Sequence, residues 1–200
     1  MKIYPVTVGS LSTNCYIVAS DEKNAFVIDP GDDAPRILAA IKKNGLSARF
    51  IVNTHGHYDH IRANAALRMP VYAYESEAEM IGDPKKNLSA SIFGSFEPVS
   101  VERRLKNGDE VTLDELTFRV IHTPGHTMGS LCLLGHGVLF SGDTLFKDGI
   151  GRTDFPGASP EAMDRSLKVL SHLDPATIVY PGHGPATSIK DEYLSSLKPE

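Results

Sequence analysis

The sequence contains no long apolar run, and this shortage excludes two classes of protein. No window approaches the roughly 18 consecutive apolar residues that a membrane-spanning helix needs. The first ten residues, MKIYPVTVGS, also lack the apolar core of a secretory signal peptide. We therefore expect a cytoplasmic protein without a membrane partner.

The sequence also lacks blocks of like charge and contains few cysteines. The net charge is −5 and no block of five or more like charges occurs, which argues against a nucleic-acid partner bound through a broad basic face. The two cysteines, Cys15 and Cys132, lie in apolar strand-like runs and form no CxxC pair. Such residues are usually buried free thiols, so we expect neither one to be a ligand or a nucleophile.

The order of the apolar patterns predicts an α/β protein with two similar halves. Strands are predicted at residues 2–8, 14–19, 25–28, 49–52, 71–74, 111–113, 116–122, 131–134, 138–141 and 177–180. Helices are predicted after residue 32, at 61–67, 75–81 and 160–173, and close to the end of the chain, while residues 82–100 show no regular pattern. This order predicts two sheets that face each other with helices outside. No linker is visible, so we expect one domain over residues 1–200.

The strongest chemical signal is a short string rich in histidine. His55, His57, Asp59 and His60 occur within six residues. Side chains two apart in an extended run point the same way, so His55 and His57 can reach one metal ion together. Asp59 and His60 follow where the chain turns into a helix, and they can face a second ion. Imidazole and carboxylate are the usual ligands of zinc and similar divalent metals.

Three further candidate ligands stand in Gly/Pro turns directly after predicted strands. They are His126 in Thr-Pro-Gly-His-Thr, Asp143 in Gly-Asp-Thr and His183 in Pro-Gly-His-Gly. Loops at the ends of rigid strands are where folds usually carry catalytic groups. Alone, each would be read as a capping or surface residue, but together with the first cluster they predict one shared metal site. The remaining histidines are expected to lie outside it: His122, His136 and His172.

The strings HxHxDH, TPGHT, GDTLF and PGHG resemble the metallo-β-lactamase fold superfamily, and within it the short bacterial branch of glyoxalase II-like hydroxyacylglutathione hydrolases. The resemblance runs from Asn14-Cys15-Tyr16 to Gly184-Pro185-Ala186-Thr187, nearly the whole chain. It implies an αββα sandwich of two mixed sheets. It also implies two divalent metal ions, zinc first, with iron or manganese as alternatives. One ion would be held by His55, His57 and His126, the other by Asp59, His60 and His183, with Asp143 bridging the two.

The resemblance also implies roles for two residues that are not ligands. Asp29 matches a carboxylate that steadies a ligand imidazole, although a plain aspartate at a strand end is an equal reading. Arg152 matches a basic residue that contacts glutathione in the longer enzymes, and a guanidinium suits a carboxylate. Arg152 could instead pair with Asp154. Only 17 residues follow His183, so we expect this protein to lack the C-terminal helical region that binds glutathione in full-length glyoxalase II.

This centre predicts a hydrolase. Two divalent ions about 3.5–4 Å apart can share a bridging water and lower its pKa towards about 7, and the catalytic Asp59 can orient the resulting hydroxide. The sequence has no GxSxG nucleophile motif. A thiolate, with a pKa near 8.5, leaves without protonation, whereas the amine from a β-lactam needs a proton donor. We therefore expect a small-molecule thioester as substrate, such as S-(2-hydroxyacyl)glutathione.

Three alternatives remain open at this stage. The string GRTDF at residues 151–155 also resembles persulfide dioxygenases of the same superfamily, which use one iron. Their last histidine usually lies in Pro-Ala-His-Asp-Tyr, whereas this chain has Pro-Gly-His-Gly. The same metal site would also hydrolyse lactones or other esters. The third alternative is a metal-binding module without catalysis. The pattern predicts no particular oligomeric state.

Overall fold

The first sheet comes mostly from the N-terminal half of the chain. The computed structural model describes residues 1–91 and 96–195, so residues 92–95 of the segment predicted to be irregular lie outside the described residues. The strands of this sheet lie side by side in sequence order: β1 (Lys2–Val8), β2 (Thr13–Ala19), β3 (Asn24–Ile28), β4 (Ser47–Val52), β5 (Val71–Tyr74) and β6 (Arg103–Leu105). β1, β2 and β3 pair antiparallel, and β3 to β6 pair parallel.

The second sheet also has six strands and is also mixed. Its spatial order is β14 (Thr187–Ser188), β13 (Ile178–Pro181), β10 (Val138–Gly142), β9 (Leu131–Gly135), β8 (Leu116–His122) and β7 (Glu110–Leu113). β10 and β13 pair parallel, and the other neighbours pair antiparallel. A small hairpin of β11 (Leu145–Phe146) and β12 (Gly149–Ile150) follows β10. The sequence patterns did not predict β6, β11, β12 or β14.

The helices lie close to their predicted places, with one difference. They are α1 (Ala34–Lys43), α2 (Tyr58–Ile61), α3 (Asn64–Leu67), α4 (Glu77–Gly82), α5 (Pro160–Leu170) and α6 (Ile189–Ser195), with one 3₁₀ turn at Ser89–Ser91. The single helix predicted over 61–67 is wrong, because the chain forms α2 and α3 there. The break occurs where the Ala63 amide donates to the Pro30 carbonyl at 3.0 Å, outside the helix.

The core has three apolar layers, as expected for a four-layer sandwich. Aromatic side chains fill the space between the sheets, where Phe26 stacks on Phe50 with ring centroids 5.3 Å apart and meets Phe118 edge-on. The outer face of the first sheet packs against α1 and α3, and that of the second against α5 and α6. This arrangement confirms the predicted αββα fold with two mixed sheets.

The structure also bears on the predictions for the two cysteines and for membrane-spanning helices. Cys15 and Cys132 are both free and fully buried, as predicted. Within residues 1–91 and 96–195, no helix combines the length and the apolar character needed to cross a membrane.

Candidate metal centre

All seven predicted ligands lie at one edge of the sandwich. The first sheet contributes His55 and His57, which follow β4, and then Asp59 and His60 in α2. The second sheet contributes the others from loops after its strands: His126 after β8, Asp143 after β10 and His183 after β13. β3 and β4 are parallel, as are β10 and β13, so the carboxyl ends of these paired strands lie together within each sheet.

The first set of ligand atoms is provided by His55, His57 and His126, each with one ring nitrogen within 4.8 Å of the others. His57 Nδ1 and His126 Nε2 are 2.8 Å apart. The Nδ1–H of His126 donates to the Arg152 carbonyl at 2.8 Å, which leaves a lone pair on Nε2. His55 Nε2 is buried and has no hydrogen-bond partner among the described residues. Buried, converging lone pairs of this kind fit a bound cation.

The second set is provided by Asp59, His60 and His183. Asp59 Oδ2 lies 3.3 Å from His183 Nε2 and 3.5 Å from His60 Nε2, and the two imidazole nitrogens are 3.3 Å apart. His183 Nδ1–H donates to the Leu11 carbonyl at 3.1 Å, so its Nε2 faces the set. One carboxylate oxygen and two imidazole nitrogens are a typical donor set for a divalent metal.

Asp143 lies between the two sets. Its Oδ2 is 3.5 Å from His126 Nε2 of the first set and 3.6 Å from His183 Nε2 of the second. Its Oδ1 is 3.4 Å from His60 Nε2 and is buried without a hydrogen-bond partner in the part of the chain that the structure describes. A Cβ at Gly182 would lie 2.2 Å from this Oδ1, so the glycine leaves the space that Asp143 occupies.

Asp29 stands behind the second set. It forms a third possible ligand group with His55 and His60, but its oxygens already have donors. Oδ1 accepts from the Thr54 amide at 2.7 Å, and Oδ2 accepts from the Thr54 hydroxyl at 2.6 Å. Oδ2 also lies 3.0 Å from His60 Nδ1. The geometry is therefore that of a carboxylate that orients the His60 ring, with Nε2 left for the centre.

Two threonines of the centre were missed by the sequence reasoning. The buried Thr13 donates its hydroxyl to Asp59 Oδ2 at 3.1 Å. The hydroxyl of Thr54 donates to Asp29 and lies 3.2 Å from His55 Nδ1, so it can accept the Nδ1–H of His55. That arrangement directs His55 Nε2 into the first set. Thr54 precedes the histidine string, which was an available signal, whereas no sequence pattern pointed to Thr13.

The electrostatic environment differs between the histidines. Burial, strengthened by the neighbouring imidazoles, lowers the pKa of His55 and lowers that of His57 to about 3. At His60 burial also opposes protonation, but Asp143, Asp59 and Asp29 outweigh it and raise the pKa to about 10. The carboxylates around His60 therefore favour its protonated form when no metal is bound. A metal ion held by His60 would compete with a proton for the ring nitrogen.

A cavity of about 400 Å³ opens directly onto the centre. Its wall beyond the ligands is largely apolar and includes Leu11, Tyr58, Leu88, Phe146, Ile150 and Phe155. Arg152 also lines the cavity, but its guanidinium makes two bonds of 2.7 Å to Asp154 and lies 4.1 Å from the centre of the Phe155 ring. The pairing with Asp154 that the sequence left open is therefore present.

The three histidines expected to lie outside the site do so. His122 stacks on Tyr74 with ring centroids 4.0 Å apart. His136 Nε2 accepts from the Thr117 amide at 3.2 Å, and His172 Nδ1 donates to the Lys168 carbonyl at 2.6 Å. Each of these rings contacts residues that belong to neither ligand set.

Several solved structures are similar to this chain over most of its length. The B3 metallo-β-lactamase BLEG-1 is 36% identical with a TM-score of 0.88, and the match covers 96% of this chain and 97% of that one. TTHA1623, solved in a di-iron-bound form, is 38% identical with a TM-score of 0.84 and coverages of 95% and 96%. ETHE1 from Myxococcus xanthus is 31% identical with a TM-score of 0.79 and coverages of 96% and 81%.

Sequence comparison gives the same family. The hydroxyacylglutathione hydrolase GloC of Haemophilus influenzae is 34% identical over 98% of this chain and 96% of its own length. The metallo-β-lactamase superfamily model matches residues 8–183, which include all seven candidate ligands. The chain therefore belongs to the metallo-β-lactamase superfamily.

Proposed function

We propose that this protein is a dinuclear metal-dependent hydrolase of small thioesters, such as S-(2-hydroxyacyl)glutathione. The observation that carries the proposal is the position of Asp143, within 3.4–3.6 Å of imidazole nitrogens from both ligand sets. A carboxylate shared by two sets is suited to hold two cations side by side. The similarity to GloC supports the glyoxalase II-like branch and a thioester substrate.

The donor atoms fit two divalent metal ions, with zinc the first candidate and iron or manganese the alternatives. The seven ligands offer only imidazole and carboxylate, which suit all three metals. The di-iron form of the similar TTHA1623 supports iron as an alternative. When bound, such ions supply an activated water and stabilise negative charge on the substrate's carbonyl oxygen.

Within the chain, Asp59 is the proposed catalytic residue. Burial opposes its ionisation, but His60 and His183 outweigh burial and lower its pKa, so the side chain is a carboxylate at neutral pH. It lines the cavity, and the Thr13 hydroxyl fixes its Oδ2. In this position Asp59 can accept a hydrogen bond from the attacking water and orient it towards the carbonyl carbon.

The low basicity of a thiolate leaving group favours thioesters over other substrates. A thiolate can depart without a proton, because its pKa lies near 8.5. Esters, lactones and β-lactams release more basic groups, which benefit from a proton donor. The cavity admits a small molecule, and we propose no nucleic-acid or membrane partner for the reaction. Arg152 stays the candidate contact for a substrate carboxylate, on condition that the substrate displaces Asp154.

Steady-state kinetics on a substrate panel tests the proposal. The protein, reconstituted with zinc and with its metal content measured, is assayed on S-lactoylglutathione, an uncharged thioester, a lactone and a β-lactam. We expect kcat/KM for at least one thioester to exceed the values for the lactone and the β-lactam by tenfold or more. A metal-loaded protein that hydrolyses no thioester contradicts the proposal, and a preference for the lactone favours the general esterase alternative.

The second candidate function is a persulfide dioxygenase with one iron. It is favoured by the GRTDF string at residues 151–155 and by the similarity to ETHE1. The two candidates differ in metal content and in oxygen use. One iron per chain together with oxygen uptake on glutathione persulfide would replace the hydrolase proposal with this one.

A further inference from the structure

Glu77, at the start of α4, joins two loops of the metal centre. It is 2% exposed, and its two carboxylate oxygens accept hydrogen bonds from different loops. Oε2 accepts from the Gly56 amide at 2.7 Å, and Oε1 accepts from the Gly129 amide at 2.8 Å. Gly56 stands between His55 and His57, and Gly129 lies three residues after His126 in the loop between β8 and β9. One side chain therefore connects both segments that carry the first ligand set.

The two glycines allow this close approach. A Cβ at Gly129 would lie 2.6 Å from Glu77 Oε1, and a Cβ at Gly56 would lie 2.9 Å from Oε2. Neither glycine has a positive φ, so their backbone conformations are open to other residues. The Glu77 carboxylate therefore takes up part of the space that a side chain would need at both positions, together with Met80 Cγ, which would lie 2.8 Å from a Cβ at Gly56, and Ser76 Oγ, which would lie 2.5 Å from one at Gly129.

The contact requires a carboxylate. Two amide donors converge on one side chain, and only an ionised carboxylate accepts with both oxygens. A glutamine would direct its NH₂ group at one of the two amides and break that connection. Burial raises the pKa of Glu77, against the opposing effect of hydrogen bonds from the Thr127 side chain and from the Gly56 and Gly129 amides, and the ion pairs among the described residues include none to Glu77. An anion buried at such a cost is expected to have a role beyond filling space.

We propose that Glu77 is a positioning residue of the metal centre: its carboxylate fixes the spacing between the His55–His57 segment and His126. This spacing sets how well three imidazole nitrogens converge on one ion, and hence the affinity of the first set. The inference rests on the proposed metal centre but is independent of the substrate. Metal binding is therefore the readout, which separates a failure here from a failure of the thioesterase proposal.

The experiment compares Glu77→Gln with two matched controls in the same helix. Glu79→Gln changes an exposed glutamate that pairs with Lys86, and Ile81→Val loosens a fully buried side chain without touching either loop. Zinc affinity is measured by competition with a chromophoric chelator, and ligand geometry by the visible spectrum of the cobalt-substituted protein. Each variant is also made in two backgrounds. His183→Ala weakens the second ligand set, so that zinc binding there measures the first set. His126→Ala weakens the first set, so that zinc binding there measures the second.

Residues that orient metal ligands typically contribute a factor of about 10–100 to metal affinity. We expect Glu77→Gln to lose about that much zinc affinity in the His183→Ala background, with a changed cobalt spectrum, and less than about threefold in the His126→Ala background. Both helix controls should bind as their parents do. Unchanged affinity in Glu77→Gln, or an equal loss in Ile81→Val, overturns the proposal. If Glu77→Gln does not fold, Gly129→Ala displaces the carboxylate from the other side, and normal zinc affinity there overturns it as well.

Discussion

Asp143→Asn is the most direct perturbation of the proposed two-metal arrangement. Asparagine keeps nearly the same shape and one oxygen, but it removes the negative charge that both ligand sets share. It also places an NH₂ group beside imidazole lone pairs, since Asp143 Oδ1 and Oδ2 lie 3.4 Å and 3.5 Å from His60 Nε2 and His126 Nε2. Without this negative charge, less of the repulsion between two cations held side by side is offset.

The charge that is lost sets the size of the effect. If a cation in the centre lies about as far from the Asp143 carboxylate as His60 Nε2 does, 3.4 Å, a unit positive charge interacts with the carboxylate by about 5 kcal/mol at an effective dielectric constant of about 20. If desolvation offsets half of this energy, about 2.5 kcal/mol remains, which corresponds to a loss of roughly 60-fold in metal affinity. We expect a loss of this order at one or both ligand sets, and a fall in kcat of at least about 100-fold.

Metal titration and kinetics on the same preparation measure this prediction. Zinc stoichiometry and affinity come from chelator competition, kcat from thioester hydrolysis at saturating zinc, and folding from circular dichroism. Asp164→Asn loses the same charge from an exposed side chain of α5 that belongs to neither ligand set, and it should behave as the parent. Near-normal zinc binding and turnover in a well-folded Asp143→Asn protein would refute the shared-carboxylate reasoning.

Three further predictions follow from the same geometry. Elemental analysis should find about two metal ions per chain, and a chelator should lower the thermal midpoint by about 5–10 °C for each site that was filled at 100 times its Kd. One ion per chain or an unchanged midpoint contradicts this. Asp29→Asn should weaken zinc binding about 10–100-fold in a chelator titration, because the His60 ring loses the carboxylate that orients it. An Asp29→Asn protein that binds zinc as tightly as the parent would show that Asp29 is a plain strand-end residue. Arg152→Ala should raise the KM for S-lactoylglutathione by less than about tenfold, and Asp154→Ala should lower this KM, because Asp154 already pairs with the guanidinium. Equal effects on an uncharged thioester would make Arg152 a structural residue of its loop.

The candidate site was largely predictable because its ligands occupy recognisable strings at strand ends. His55 to His60 form one such string, and the Gly/Pro turns around His126, Asp143 and His183 mark the others. The core strands were predictable for a similar reason, since runs rich in β-branched and aromatic residues, such as Leu116–His122 with its alternation of buried and exposed side chains, favour strands.

The missed features depend on contacts between distant segments. Thr13 and Glu77 reach residues 46 and 52 positions away, and neither residue type is unusual in its local sequence. The break between α2 and α3 arises where Ala63 bonds to Pro30 in another loop, while its own sequence remains compatible with helix. The two-residue strands β11, β12 and β14 are too short to show an alternating pattern.

The division of each ligand set between the two sheets has a consequence for stability. The first set joins His57 to His126, 69 residues away, and the second joins His60 to His183, 123 residues away. A bound ion would therefore act as a removable cross-link across a long loop, in a chain whose two cysteines are free. A covalent bridge over loops of this length restricts the unfolded chain by about 4–5 kcal/mol. Metal supply would then control how firmly the two halves stay together, as oxidation does in proteins stabilised by disulfide bonds.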